Sequence, residues 1–281
     1  MFHKDLAAVE AALSAGASIQ TTPKGLHTPL ASAASRGFVD GVKLLLDRGA
    51  NVNGADWSGM TALFRAGSAA IVKILVDAGA AVDARDKSGS TPLHLAAINH
   101  TASIAALVAR GADPAAVDAE GKTALEHACF HLKTKAAEIL LDSMKLTPEQ
   151  GARALRIAAG RDGTKGLQLV QLLLARGADP NGMPPRATTP LHKTPYSGRL
   201  DVALLLIDAG ADVNARNEVD ETPLLAAAHC RRIDLCQALR AAGADPNARC
   251  SGRHPDPTRR GKTPLEVATA YGKAPLIAAL A

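Results

Sequence analysis

A chain of 281 residues that is 47% hydrophobic but only 2% aromatic can bury a substantial core, built from Ala, Leu and Val as thin layers of closely stacked helices require. The formal net charge of +5 is unevenly placed: residues 1–140 carry 13 Lys and Arg against 13 Asp and Glu, whereas residues 141–281 carry 19 against 14. Much of the excess lies in Arg249, Arg253, Arg259, Arg260 and Lys262, which is a local basic patch and not the footprint of a dedicated nucleic-acid binder.

No apolar run approaches the roughly 18 residues needed to cross a bilayer, and the N-terminal Met-Phe-His-Lys-Asp lacks the apolar region of a signal peptide. A soluble, cytoplasmic chain without a membrane partner is expected. Cys129, Cys230, Cys236 and Cys250 fit neither a disulfide framework nor the ligand spacing of a zinc site, and read as reduced thiols.

In chain order, residues 5–15 predict a helix ended by Gly16. From there a unit recurs. Thr-Pro-Leu or Thr-Ala-Leu triplets begin at Thr28, Thr61, Thr91, Thr123, Thr189, Thr222 and Thr263, and Gly-Ala pairs fall at Gly16, Gly49, Gly79, Gly111, Gly177, Gly210 and Gly243. The distance from each Gly to the next triplet is 12 residues wherever the pattern is unbroken; only Gly243 to Thr263 departs, at 20, which places an eight-residue insertion there. Each triplet predicts a helix start, because Pro at the first helical position needs no N–H and the Thr hydroxyl caps free backbone donors. A second amphipathic segment follows, such as Val42-Lys43-Leu44-Leu45-Leu46 or Val170-Gln171-Leu172-Leu173-Leu174, and the next Gly accepts the left-handed conformation that stops it. The polar stretches Asn53 to Gly59 and Asp83 to Gly89 read as tight turns leading to the next triplet.

Thr91-Pro92-Leu93-His94-Leu95-Ala96-Ala97, with Gly-Ala-Asp-Val-Asn at 210–214, closely resembles the ankyrin repeat of about 33 residues. The resemblance covers nearly the whole chain and implies an α solenoid of helix-turn-helix pairs linked by β-hairpin-like loops. One domain over 1–281 is expected: a partial N-terminal repeat at 1–27, six tandem repeats at 28–262 and a C-terminal capping repeat at 263–281. The partial repeat shows only a second helix; either the natural protein begins earlier or this half-repeat is a lopsided cap.

The departures are informative. Thr61 to Gly79 is 18 residues where Thr28 to Gly49 is 21, so the second repeat has lost about one helical turn and irregularity is expected over 61–79. The segment 142–166 lacks both a Gly-Ala stop and a triplet; its next helix is expected near Ala154, with Arg161 to Gly166 lengthening the inter-helix loop. In the first helix after Thr189, Lys193-Thr194-Pro195 replaces the expected Leu-Ala-Ala, and the proline is expected to disturb that helix. The insertion makes a basic, proline-bearing finger over 249–262, in which Arg253, Arg259 and Arg260 are candidate contacts for an acidic surface or a phosphate backbone.

The resemblance implies that a partner protein lies in a concave groove, touching the first helices and the hairpin tips. Candidate contacts at the tips are Trp57, the single tryptophan, and Met60. On the first helices they are Ile98, Phe130, His131, Lys193, Tyr196 and His229, with the adjoining Arg231 and Arg232. Packing of Trp57 over a neighbouring helix is the competing role for that residue. His94 and His192 belong to the structural Thr-Pro-Leu-His of the family. No phosphate loop, nucleophile elbow or zinc-protease motif occurs, and His127, Cys129 and His131 do not converge on one metal. The expected protein is thus a monomeric, non-catalytic scaffold with no cofactor and no metal. The alternative function is polyanion or nucleic-acid binding through the finger.

Overall fold

A computed structural model describes residues 5–20 and 27–281. The chain packs as two units that divide between Met144 and Lys145, inside the expected irregular segment. Among the described residues the regular structure is helical, with one isolated bridge between Val117 and Thr123.

The first unit holds α1 (Leu6–Ser14), α2 (Pro29–Ser35), α3 (Val39–Asp47), the 3-10 turn η1 (Ala62–Arg65), α4 (Ala69–Asp77), α5 (Pro92–Asn99), α6 (Thr101–Ala109), α7 (Ala124–Phe130) and α8 (Thr134–Ser143). One layer runs α2, η1, α5, α7 and the other α3, α4, α6, α8, each element packed on the next. The helical turn missing from the second repeat is taken from its first helix, which shrinks to the four residues of η1. The second unit holds α9 (Pro148–Ala159), α10 (Gly163–Ala175), α11 (Pro190–Ser197), α12 (Leu200–Asp208), α13 (Pro223–His229), α14 (Ile233–Ala241), α15 (Pro264–Ala270) and α16 (Ala274–Leu280). Here α9, α11, α13 and α15 form the first layer and α10, α12, α14 and α16 the second.

The core follows the helical period. Second-layer helices bury residues three or four apart, such as Val42 with Leu45, Val72 with Leu75, Ile104 with Leu107, Val170 with Leu173 and Leu206 with Val202 and Ala203, against the small Ala-rich faces of the first layer. All seven glycines of the Gly-Ala pairs hold φ between +78° and +91°, the conformation that ends each second helix and that a side chain would strain. Amides then fix repeat to repeat. Asn53 donates to the Gly79 carbonyl (3.0 Å) and accepts from the Ala81 N–H (2.8 Å), and Asn181 and Asn214 clamp Gly210 with Asp212, and Gly243 with Asp245, in the same way.

Two expectations for the irregular segment are corrected. The fifth repeat starts at Thr147-Pro148, not near Ala154: Thr147 caps the Gln150 N–H (3.2 Å) while the Gln150 side chain accepts from the Thr147 N–H (3.1 Å). The extra residues also lengthen the helices instead of the loop, since only a short link at Gly160–Asp162 separates the 12 residues of α9 from the 13 of α10.

Pro195 lies inside α11, which continues through it to Ser197. A proline cannot donate to the carbonyl four residues back, so Leu191 would lose its partner. The Thr194 hydroxyl, fully buried, donates to that carbonyl instead (2.9 Å), and the expected disturbance is absent. Thr194→Val is therefore expected to destabilise the second unit by about 1–3 kcal/mol, the cost of an orphaned buried acceptor. The double variant Thr194→Val with Pro195→Ala should regain most of this, because the introduced alanine supplies the backbone N–H that proline lacks; urea melts showing no recovery would contradict the assignment.

Candidate functional site

Hairpin tips and first-layer helices carry the candidate residues, and both are set by local hydrogen bonding. A tip begins with a side-chain acceptor that closes its own turn: Asp56 Oδ1 accepts from Ser58 N (2.9 Å) and Met60 N (3.1 Å), and Asp86, Asp118 and Asn217 repeat the pattern. Burial alone would push the Asp56 carboxyl up. The Ser58 hydroxyl, the Arg65 guanidinium and the two N–H groups outweigh it and hold this carboxyl well below the usual carboxylate range. Tips join their neighbours through Lys87 N–H to the Ser58 carbonyl (2.9 Å) and Ala119 N–H to the Ser88 carbonyl (3.0 Å).

The first-layer helices are tied to these tips by histidine. His94 Nδ1 accepts from the Thr91 N–H (3.1 Å), which places the proton on Nε2, and Nε2 donates to the Lys122 carbonyl of the next hairpin (3.0 Å). His192 does the same between Thr189 and the Glu221 carbonyl (2.9 Å). Burial pushes both imidazoles below the ordinary histidine value. Both are structural, as the resemblance implied.

On this frame the first unit presents Trp57, 67% exposed, with the Lys87 ammonium 5.9 Å from its ring centre. Packing of Trp57 over a helix is thus not its role. Phe130 is 45% exposed at the end of α7, with Lys122 5.6 Å above its ring and the exposed His131 ring edge-on at 5.2 Å. Met60 and Ile98 are half-buried, and the Met60 sulfur accepts from Arg65 (3.5 Å).

In the second unit Tyr196 is 50% exposed. Lys193 is half-buried, and burial together with the nearby Arg156 guanidinium pushes its ammonium below the ordinary lysine value. Half-buried His229 is hydrogen-bonded through Nδ1 to the Tyr271 hydroxyl (3.0 Å) and sets Nε2 3.5 Å from Asp256. Arg231 and Arg232 are exposed; Arg231 lies over the Tyr271 ring (5.2 Å), and Arg232 Nε donates to the Pro195 carbonyl (3.2 Å).

The finger differs from its expected form. The insertion is a loop inside the last hairpin: Cys250 N–H still pairs with the Lys262 carbonyl (3.2 Å), in the register that Asp118 N–H and the Lys122 carbonyl hold in an earlier hairpin. Arg259 is not an exposed contact. It is buried, donates to the Tyr196 hydroxyl (2.8 Å) and to Asp256 (3.0 Å), and pairs with buried Glu221. Arg249 is held by both oxygens of Glu266 (2.7 and 2.8 Å), and Arg260 turns back to the His254 carbonyl (2.8 Å), leaving Arg253 pointing outward. A carboxylate from the preceding repeat draws the loop down, and two of the finger's five cations, Arg249 and Arg259, are ion-paired within the unit.

A family model described as ankyrin repeats matches residues 1–86, 65–152 and 155–250. The chain belongs to the ankyrin-repeat family. Ankyrin repeats generally mediate protein–protein interaction. Human B-cell lymphoma 3 protein is 40% identical over 96 residues, 31% of this chain and 20% of that protein; its mouse homologue is 38% identical over 96 residues, 31% and 21%. The match thus spans about a fifth of the length of these relatives. Among solved structures, the ankyrin-repeat domain of Bcl-3, described as a unique member of the IkappaB protein family, is similar with 27% identity and a TM-score of 0.64, covering 92% of this chain and 99% of that one. The ankyrin-repeat domain of human ASB11, at 23% identity, 90% and 96% coverage and a TM-score of 0.58, is alike in fold. Among the described residues no helix is long and apolar enough to cross a membrane.

Proposed function

We propose that this ankyrin-repeat protein is a non-catalytic, monomeric scaffold that binds a partner protein across its first-layer helices and hairpin tips. The observation that carries this reading is the exposure of Trp57, Phe130 and Tyr196, three of the chain's seven aromatics, on those elements and not in the core. Aromatic side chains of this kind dominate binding energy where a partner desolvates them. Four free cysteines support a reducing, cytoplasmic setting.

Site-specific photo-crosslinking tests the proposal. A benzophenone side chain at position 57 or 130 is expected to capture a discrete partner in cells, whereas one at Leu204, exposed on a second-layer helix, should not. Equal capture from all three positions, or capture from Leu204 alone, would move the binding face elsewhere.

A further inference from the structure

The basic excess belongs to the second unit: residues 145–281 carry 19 Lys and Arg against 13 Asp and Glu, whereas residues 1–144 carry 13 against 14. Once the internal pairs are set aside, an uncompensated set lies together on the first layer. Among the described residues Lys193, Arg231, Arg232 and Arg156 make no ion pair, and the buried Nε of Arg156 has no hydrogen-bond partner. Lys193 and Arg232 each reach the end of the preceding first-layer helix. The Lys193 Cβ lies where a side chain on Gly160 would meet it at 3.8 Å, beside the end of α9, and the Arg232 guanidinium lies within 2.7 Å of where a side chain on Gly198 would begin, at the end of α11.

No free carboxylate on this layer answers them. The helices α9, α11, α13 and α15 carry only Glu149 and Glu266, both in first turns, and Glu266 is held by Arg249. Of the acids packed against this layer, Glu221 is taken by Arg259, and Asp256 by Arg259 and the Thr258 hydroxyl. Helix C-terminal carbonyls attract cations and account for part of the placement of these residues.

The turns after α2, α11 and α15 place glycine in the left-handed conformation, Gly37, Gly198 and Gly272 at φ +66°, +66° and +64°. The turn after α13 holds Arg231 there, at φ +58°. Leu132 takes the same place after α7 at φ +56°, so a side chain is tolerated there, and Arg231 differs from it in carrying an exposed cation. Its guanidinium stands over the Tyr271 ring, whose hydroxyl is tied to His229, while the Tyr196 hydroxyl is tied to Arg259. Two hydrogen-bonded aromatic rings thus flank the cations.

We propose that this strip of the second unit receives an acidic peptide segment of a partner protein, its carboxylates against Lys193, Arg231 and Arg232 and an apolar side chain against the Tyr196 ring. The inference rests on the reading that partners dock on the first-layer helices, and it names their chemistry. A peptide fits better than a nucleic acid. Its few cations fall short of the row of phosphate contacts on which nucleic-acid binding depends, whereas a short acidic segment needs only two or three.

The test titrates the full chain into a fluorescein-labelled peptide of alternating Glu and Leu and follows anisotropy, with a Gln-Leu peptide and an oligothymidylate as comparison probes. The Glu-Leu peptide is expected to bind and the Gln-Leu peptide not. Lys193→Met and Arg231→Gly should each weaken binding about tenfold, while Lys43→Ser, exposed on α3 of the first unit, leaves it unchanged. Arg231→Gly should also keep or raise the melting temperature, which a purely structural arginine would not do. Absence of binding, equal binding by both variants, or tighter binding of the oligothymidylate with the same dependence on Lys193 and Arg231 would overturn the proposal. Crosslinking from positions 57 and 130 in the first unit is a separate readout, so failure of the acidic strip and failure of the partner-binding reading are told apart.

Discussion

Replacing Arg259 by Met is expected to cost the second unit about 3–5 kcal/mol, among the largest effects of any single substitution in the chain. The arginine joins Asp256 of its own loop to two places distant in sequence, Glu221 at the base of the preceding hairpin and the Tyr196 hydroxyl on α11. Its side chain is 11% exposed and that of Glu221 6%, so removing the guanidinium leaves a carboxylate in a site with little water to solvate it. The penalty belongs to the orphaned charge more than to the bond itself. The double variant Arg259→Met with Glu221→Leu is therefore expected to recover most of the loss, since buried pairs often exchange for apolar residues at little net cost. Chemical denaturation of both variants decides: a single variant within about 1 kcal/mol of the parent, or a double variant no better than the single, would show that the loop is not anchored by this pair.

The repeat unit was legible in the sequence because its determinants are local. A Thr cap, a Pro at the first helical position and a left-handed Gly act within one turn, and their spacing also revealed the eight-residue insertion and the shortened second repeat. Thr147-Pro148 is of the same kind. It went unread because the triplet's Leu is replaced by Glu149 and because α9 is longer than the other first-layer helices. The remaining differences are long-range. Glu221 and Arg259 are 38 residues apart, and no periodicity announces that a basic loop will fold onto a carboxylate of the preceding repeat. The replacement of a missing backbone donor by the Thr194 hydroxyl required the helix to be seen intact. Of the candidate contacts, the aromatics are exposed, whereas in the finger, read from its insertion and its charge, Arg259 is buried and Arg253 alone of the three arginines points outward.

The central claim, that the exposed aromatics serve a partner and not the core, is tested most directly by measuring stability and affinity on the same variants. Trp57, Phe130 and Tyr196 are 67%, 45% and 50% exposed, so replacing Trp57 or Phe130 by Ala should change stability by no more than about 0.5 kcal/mol, the usual range for surface positions. Tyr196→Ala should cost somewhat more, since Arg259 loses one acceptor. Binding should respond on another scale. Truncation of an aromatic hot spot removes about 2 kcal/mol or more, roughly a thirtyfold loss of affinity. With the partner captured by crosslinking, melting curves and titrations of Trp57→Ala and Phe130→Ala are expected to show unchanged melting temperatures and at least about tenfold weaker binding. A large fall in melting temperature with affinity intact would contradict the account and return these aromatics to the core.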